Sequence, residues 1–340
     1  MLKVAVIAVG TMGKQHARVY TEIPGVELVA VADPDENRIA EIVRRYKVKA
    51  YRDYREMLRC EKPDAVSVTA PTHLHYQVAR DVVAEGIHLL VEKPLASTPE
   101  EALEIIRAAD EKGVKLAVGH IERFNPAVKE LKKRLDGGEL GRVFLLHARR
   151  LGPFPERIQD MGVVIDLASH DLDVMHYLLG VEVERVYAET MRQIHTHYED
   201  LLSGLLRFRN GIIGVLDVNR LTPTKIRELT VTGERGMFIV NYLTQELYFY
   251  ENHYVSGEWE ALGIFKGVGE GNMVRLRVER EEPLRAELRA FVEAIVKNEL
   301  PPIGGRDGLR AVILAQKLVE SGRTGEVVKV NDISEEGSRV

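Results

Sequence analysis

The stretch Leu2-Lys3-Val4-Ala5-Val6-Ile7-Ala8-Val9-Gly10-Thr11-Met12-Gly13 decides the fold class. Val4–Val9 is a continuous apolar run too short for a helix, and it ends in a glycine turn that opens a helical pattern over 12–22. Comparable runs return at Val26–Ala32, Ala65–Val68, Ile87–Val91 and Val114–Val118, each bounded by Gly, Pro or Asp. Apolar runs without alternation suit parallel strands buried on both faces. Helical patterns over 35–46, 73–85 and 99–112 lie between them. The last has Ser97 and Thr98 as candidate N-caps, Pro99 in its first turn and Gly113 as a stop. This alternation predicts an α/β fold, a doubly wound parallel sheet with right-handed crossovers, over residues 1–120.

Beyond about residue 140 the pattern changes. Arg275-Leu276-Arg277-Val278-Glu279 alternates polar and apolar residues, as a sheet with one solvated face does. Turn signals follow at Asn210-Gly211 and Gly233-Glu234-Arg235-Gly236. Helices are expected over 162–179, 284–298 and 307–321, and Glu335–Val340 reads as a frayed tail. Residues 121–340 are therefore expected to form a second, α+β domain on a largely antiparallel open sheet. A chain of 340 residues suits two domains.

Composition removes several function classes. The net charge of −5 offers no general attraction to nucleic acid or to an anionic membrane. Apolar runs stop far short of the roughly 20 residues needed to span a bilayer. One cysteine, Cys60, excludes an internal disulfide and any multi-thiolate metal centre, which fits a reducing cytoplasm.

The turn after the first strand carries two of the three glycines of a G-x-G-x-x-G dinucleotide fingerprint, Gly10 and Gly13, with Ala8 in place of the first. Ala8 is tolerable there if its φ stays negative. Amides of Gly10, Thr11, Met12 and Gly13 at the helix start would face a cofactor's phosphates. Twenty residues on, Asp33 ends the second strand, where a carboxylate accepts ribose hydroxyls and repels a 2′-phosphate. Arg38 is the nearby cation. NAD is expected ahead of NADP, on a Rossmann domain.

Ligands of open α/β sheets bind at the carboxyl ends of the strands. Ala70, Pro71, His73 and His75 follow the third of the apolar strands, and Glu92-Lys93-Pro94 the fourth, so these residues are expected around the cofactor. On a helical wheel over 162–179, Asp166, His170, Asp173 and Tyr177 share one face, opposite Val164, Leu167, Val174, Met175 and Leu178. A carboxylate one turn from an imidazole suits general acid–base work, Asp166 orienting His170. Asp171, on the apolar side, reads as a hydrogen-bonded structural residue. One His–carboxylate pair is too few ligands for zinc, so no metal is expected. His195 and His197 alternate on an expected strand and read as an exposed sheet face.

Together these motifs resemble the glucose–fructose oxidoreductase/inositol dehydrogenase (Gfo/Idh/MocA) family over essentially the whole chain. The resemblance rests on Gly10-x-x-Gly13-x-x-His16, Thr69-Ala70-Pro71-Thr72-His73-Leu74-His75, Glu92-Lys93-Pro94, Arg123-Phe124-Asn125-Pro126 and Asp166-x-x-x-His170-Asp171-x-Asp173. It implies NAD(P)-dependent chemistry at a sugar-like hydroxyl, with Lys93 and His170 as catalytic groups. It also implies a homodimer or homotetramer built through the open sheet. Gly119–Pro126, Arg149–Arg157 and Leu221–Lys225 look like the branch that oxidises nucleotide sugars, UDP-N-acetylglucosamine 3-dehydrogenases among them. Arg123, Arg149, Arg150 and Arg157 could then offer guanidinium forks to a diphosphate, with Asn125 beside them.

The expected reaction is oxidation of a ring hydroxyl, C3 of a nucleotide sugar, with hydride passing to NAD. The alternatives are a dehydrogenase of a free polyol or monosaccharide, and a non-catalytic NAD-binding sensor. A sensor needs none of Lys93, Asp166 and His170.

Overall fold

The computed structural model describes residues 1–154, 161–194, 197–254 and 268–331. Two compact units emerge. Met1–Phe124 and Glu281–Ile313 form the first; Asn125–Arg280 and the described chain from Leu314 form the second.

The first unit runs β1 (Leu2–Ile7), α1 (Thr11–Glu22), β2 (Val26–Ala32), α2 (Glu36–Tyr46), β3 (Lys49–Tyr51), α3 (Tyr54–Glu61), β4 (Ala65–Val68), α4 (Thr72–Ala84), β5 (His88–Glu92), α5 (Pro99–Lys112) and β6 (Leu116–Gly119). The strands pair in the order β3-β2-β1-β4-β5-β6, every pairing parallel. The order reverses between β1 and β4, which opens a crevice at the strand ends, where such sheets bind ligands. Caps follow local chemistry. Asp35 accepts from the amides of Asn37 and Arg38 to start α2, Thr98 accepts from Glu101 to start α5, and Gly113 ends α5 at φ +66°.

The second unit contains α6 (Pro126–Asp136), β7 (Val143–Leu151), α7 (Ser169–Leu179), β8 (Val183–Met191), β9 (Leu201–Phe208), β10 (Ile213–Asn219), β11 (Ile226–Gly233), β12 (Gly236–Asn241), β13 (Glu246–Tyr254) and β14 (Val268–Leu276). Helices α8 (Pro283–Lys297) and α9 (Gly305–Thr324) and the short β15 (Val328–Lys329) follow. The sheet order is β14-β13-β12-β11-β7-β10-β9-β8-β15, antiparallel except between β7 and β10. One face is covered. A methyl on Gly214 would meet Met175 of α7, and one on Gly204 would meet Leu318 of α9. The other face leaves Leu205, Ile213, Tyr250 and Met273 exposed.

Chain order misassigns one helix. Residues 284–298 were expected in the second domain, yet α8 packs on α1 in the first unit, setting Leu284, Leu288 and Phe291 among Val4, Val6, Ala17 and Tyr20. Ion pairs from Arg18 to Glu282 and from Arg285 to Glu22 flank that seam. His197 lies in the connection between β8 and β9 rather than on a strand, and His195 and the Glu335–Val340 tail lie outside the described residues.

A buried ion pair ties α7 to the sheet. Arg150 of β7 donates to both oxygens of Asp171, Nε to Oδ2 at 2.7 Å and Nη2 to Oδ1 at 3.0 Å. Its guanidinium also lies over the Tyr242 ring, 5.2 Å from the centroid. Removing one partner of such a pair strands a buried charge. Asp171→Ala should therefore destabilise the protein by about 3–5 kcal/mol, whereas Arg150→Met with Asp171→Leu should cost far less. Thermal and urea unfolding of the three chains checks this; equal losses in both variants would contradict it.

Candidate active site

At the end of β1 the backbone does what the sequence reading did not expect. Ala8 sits at φ +68°, the left-handed region, rather than at a negative φ. Its amide donates to the Ala32 carbonyl at 2.7 Å, and the Ala8 carbonyl accepts from Thr69 Oγ1. The third glycine explains the geometry. A methyl on Gly13 would lie 2.0 Å from the Ala8 carbonyl oxygen and 2.6 Å from Thr69 Oγ1, so α1 can approach β1 only because Gly13 is bare. Gly10 has a different reason to be bare, since a Cβ there would meet nothing within 4 Å. The open space lies at the start of α1, where no described side chain caps the first-turn amides and no acidic residue opposes the helix dipole. A cradle of this kind fits a pyrophosphate on Gly10 and the amides of Thr11, Met12 and Gly13.

Asp33 is buried, and both of its oxygens already serve the turn. Oδ2 accepts from the Val9 amide at 2.8 Å and Oδ1 from the Asp35 amide at 2.9 Å. Each oxygen keeps a second lone pair for a ribose hydroxyl. Arg38, half exposed, lies 3.7 Å from Asp33 and 3.3 Å from Asp35.

The ends of β4 and β5 hold the next residues. Ala70 and Pro71 lead into α4, and His73 is exposed at its first turn. His75, expected beside the cofactor, is closed in between two loops. It is buried, with Nε2 at 2.7 Å from the Ala70 carbonyl and Nδ1 at 2.8 Å from the Pro94 carbonyl, so the ring bridges two strand-end loops. Burial pushes its pKa below the ordinary histidine value, against the two carbonyls that favour the charged ring. Glu92 likewise turns inward. Its Oε1 lies 3.0 Å from His16 Nε2, and its Oε2 accepts the Lys93 amide at 3.2 Å. Lys93 is half-buried at the strand end, joined to Pro94 by a cis peptide.

The second unit holds the other expected catalytic residues. Val164–Ala168 is a single π-helical turn leading into α7, so the expected uniform helix over 162–179 is not formed. Such bulges recur at functional sites, because they re-aim one turn of side chains. Asp166 lies in that turn and His170 in the first turn of α7, both half-buried, whereas Asp173 is buried, so the four residues do not share one open face. Arg220, just past β10, donates to the Asp166 carboxylate and also to the Met161 carbonyl at 3.1 Å.

The arginines expected to bind a diphosphate are distributed otherwise. Arg150 is committed to Asp171. Side chains alternate across a strand, so Arg149 points to the opposite face of the sheet from α7, where it lies 3.6 Å from Glu228. Arg123 Nη2 binds Asp307 at 2.9 Å and is nearly buried. Asn125 caps α6 through the Ala127 amide and donates to the Tyr242 carbonyl at 3.0 Å. Arg157 lies outside the described residues. Sequence reading assigned no role to His16 or Arg220. His16 stands in the quoted Gly10-x-x-Gly13-x-x-His16 spacing, but nothing local to Arg220 signals a partner 54 residues away.

Comparison with known proteins agrees with this architecture. Residues 2–120 match the model of the oxidoreductase family with an NAD-binding Rossmann fold, and residues 128–239 match the GFO/IDH/MocA C-terminal domain. The chain belongs to the Gfo/Idh/MocA oxidoreductase family. It is 29% identical to UDP-N-acetylglucosamine 3-dehydrogenase of Acidithiobacillus ferrooxidans over 94% of this chain and 98% of that one. A solved structure of that relative superposes with a TM-score of 0.83 at 28% identity, covering 94% of this chain and 97% of the other. Inositol 2-dehydrogenase 2 of Saccharopolyspora erythraea is 28% identical over 97% of this chain and 95% of its own. Among the described residues no helix is long and apolar enough to cross a membrane, and no cluster of three or more His, Cys, Asp or Glu could hold a metal.

The left-handed Ala8 yields a direct test. Left-handed backbone costs an alanine about 1–2 kcal/mol that glycine avoids, partly offset by the unfolded-state entropy of glycine, about 0.4–1 kcal/mol. Ala8→Gly should raise the thermal midpoint slightly and leave NAD affinity intact, whereas Gly13→Ala should abolish NAD binding. Calorimetry of binding and unfolding decides; a destabilised Ala8→Gly or an NAD-competent Gly13→Ala would refute the geometry.

Proposed function

We propose that this oxidoreductase oxidises a ring hydroxyl, C3, of a nucleotide sugar of the UDP-N-acetylglucosamine type, with NAD preferred to NADP. The observation that carries the reading is the end-to-end similarity to a UDP-N-acetylglucosamine 3-dehydrogenase, joined to the presence of Lys93, Asp166 and His170. NAD preference rests on Asp33, whose buried negative charge at the end of β2 disfavours a 2′-phosphate.

A bound nicotinamide dinucleotide would supply the hydride acceptor. Gly10 and the first-turn amides of α1 would hold its pyrophosphate, and Ala70, Pro71 and His73 at the end of β4 would contribute to the same site. The His170 imidazole takes the proton of the substrate hydroxyl as the carbon is oxidised. The Lys93 ammonium stabilises the negative charge that develops on that oxygen. Asp166, held in place by Arg220, orients the His170 ring.

A second reading is favoured by one observation. Arg123, Arg149 and Arg150 are engaged by Asp307, Glu228 and Asp171, which removes most of the cationic set a diphosphate would use. A free polyol or monosaccharide needs no such set, and an inositol dehydrogenase is almost as similar to this chain. The alternating sheet also supports a homo-oligomer, since Leu205, Ile213, Tyr250 and Met273 leave an apolar band on its uncovered face that a second copy would bury. The single, exposed Cys60 favours a reducing, cytosolic setting.

NADH absorbance with UDP-N-acetylglucosamine, myo-inositol and glucose separates the substrate readings; faster turnover of a free polyol or sugar would reject the first. Lys93→Ala and His170→Ala should each lower kcat by about 100-fold or more while NAD affinity stays within about twofold. Near-wild-type turnover in either variant would remove that residue from the chemistry.

A further inference from the structure

Glu92 ends β5 after Leu89-Leu90-Val91, and a carboxylate at that place enters otherwise apolar surroundings. Its side chain is 12% exposed and that of His16 not at all. Both oxygens are held, Oε1 by His16 Nε2 at 3.0 Å and Oε2 by the Lys93 amide at 3.2 Å. Gly119 pairs with Glu92 across β5 and β6, and a methyl on it would come within 3.0 Å of the carboxyl carbon. The carboxylate therefore lies against bare backbone, and three elements fix its orientation. Burial resists charge on Glu92, but the His16 hydrogen bond and the neighbouring Lys93 ammonium outweigh it and hold the carboxyl below its ordinary range. His16 Nδ1 is buried and makes no hydrogen bond among the described residues. A carboxylate oxygen can only accept, so the Nε2 that faces it carries a proton and donates to Glu92.

Stability alone does not account for this pair. Apolar residues of similar volume generally replace a buried ionic pair without loss, and often with gain. Helix α1 also has another polar tie to the sheet one turn on, where the Tyr20 and Ser67 hydroxyls lie 2.7 Å apart. What the pair adds is a fixed negative charge and a main-chain anchor one residue from Lys93.

We propose that His16 and Glu92 are a positioning pair for Lys93. Glu92 anchors the Lys93 main chain and sets a carboxylate beside its ammonium, and His16 holds that carboxylate in place. The proposal rests on the reading that Lys93 stabilises the oxygen of the substrate. The titratable groups set against Glu92 are His16 from α1, Lys93 from its own loop and His75 from α4.

The test uses the full chain with whichever sugar it oxidises fastest. Glu92→Gln should lower kcat by about ten- to a hundredfold, as small misplacements of a catalytic group do, with the sugar KM and the NAD Kd within about twofold. His16→Leu with Glu92→Met should unfold at or above the wild-type temperature yet show the same loss of kcat. His16→Gln, whose amide donates toward Glu92, should recover most of the activity that His16→Leu loses. Turnover within about twofold of wild type in Glu92→Gln and in the double variant would overturn the proposal, as would a loss confined to NAD affinity. Lys93→Ala, assayed alongside, separates the two levels. If that variant keeps its turnover, the role of Lys93 fails, and with it the need for a positioning pair.

Discussion

The close approach of α1 to the end of β1 is the constraint on which the cofactor half of this protein depends. It exists because Gly13 has no side chain where any Cβ would run into the Ala8 carbonyl. That approach aims the first-turn amides of α1 into the space beside Gly10, and it carries His16 down to Glu92. At the same junction Ala8 is left-handed, with Asp33 accepting the next amide along the chain. The uncapped amides beside Gly10 and the His16 contact to Glu92 thus share one helix.

The two units differ in the kind of sheet each contains. A parallel sheet places its loops at one set of strand ends, and the order reversal between β1 and β4 leaves those loops free to receive a dinucleotide. The second sheet is mixed, with one covered face, and its contribution is rigidity. Arg150 and Asp171 lock α7 to β7, Arg220 holds Asp166 in a π-turn, and His170 follows at the start of the same helix. Residues on such locked elements, Asp166 and His170 in the proposed roles, would suit chemistry that tolerates little misplacement.

Much of this was legible in the sequence, for physical reasons that also mark where legibility stops. Parallel strands such as β1 and β4 are buried on both faces, so they read as unbroken valine-rich runs, and α5 declares its ends through Thr98, Pro99 and Gly113. The edge strand β3, three residues with no apolar run, gives no such signal. Ala8 misled because the turn it occupies is left-handed, which an alanine adopts only at a cost and so does not signal. The helical wheel through Asp166 and His170 assumed 3.6 residues per turn, which a single π-turn breaks. Arginines misled most. Arg123, Arg149 and Arg150 are read as free cations in a linear sequence, and each found an acid distant along the chain. Partner choice is a tertiary property that no local pattern encodes.

The central claim is that Lys93 and His170 act on the same hydroxyl. A crystal structure of the enzyme with NAD and UDP-N-acetylglucosamine bound tests it most directly. The account expects one ring hydroxyl within hydrogen-bond reach, about 3 Å, of both the Lys93 ammonium and the His170 imidazole, its carbon facing the nicotinamide. A sugar bound productively against the nicotinamide with either side chain turned away from that hydroxyl would contradict it.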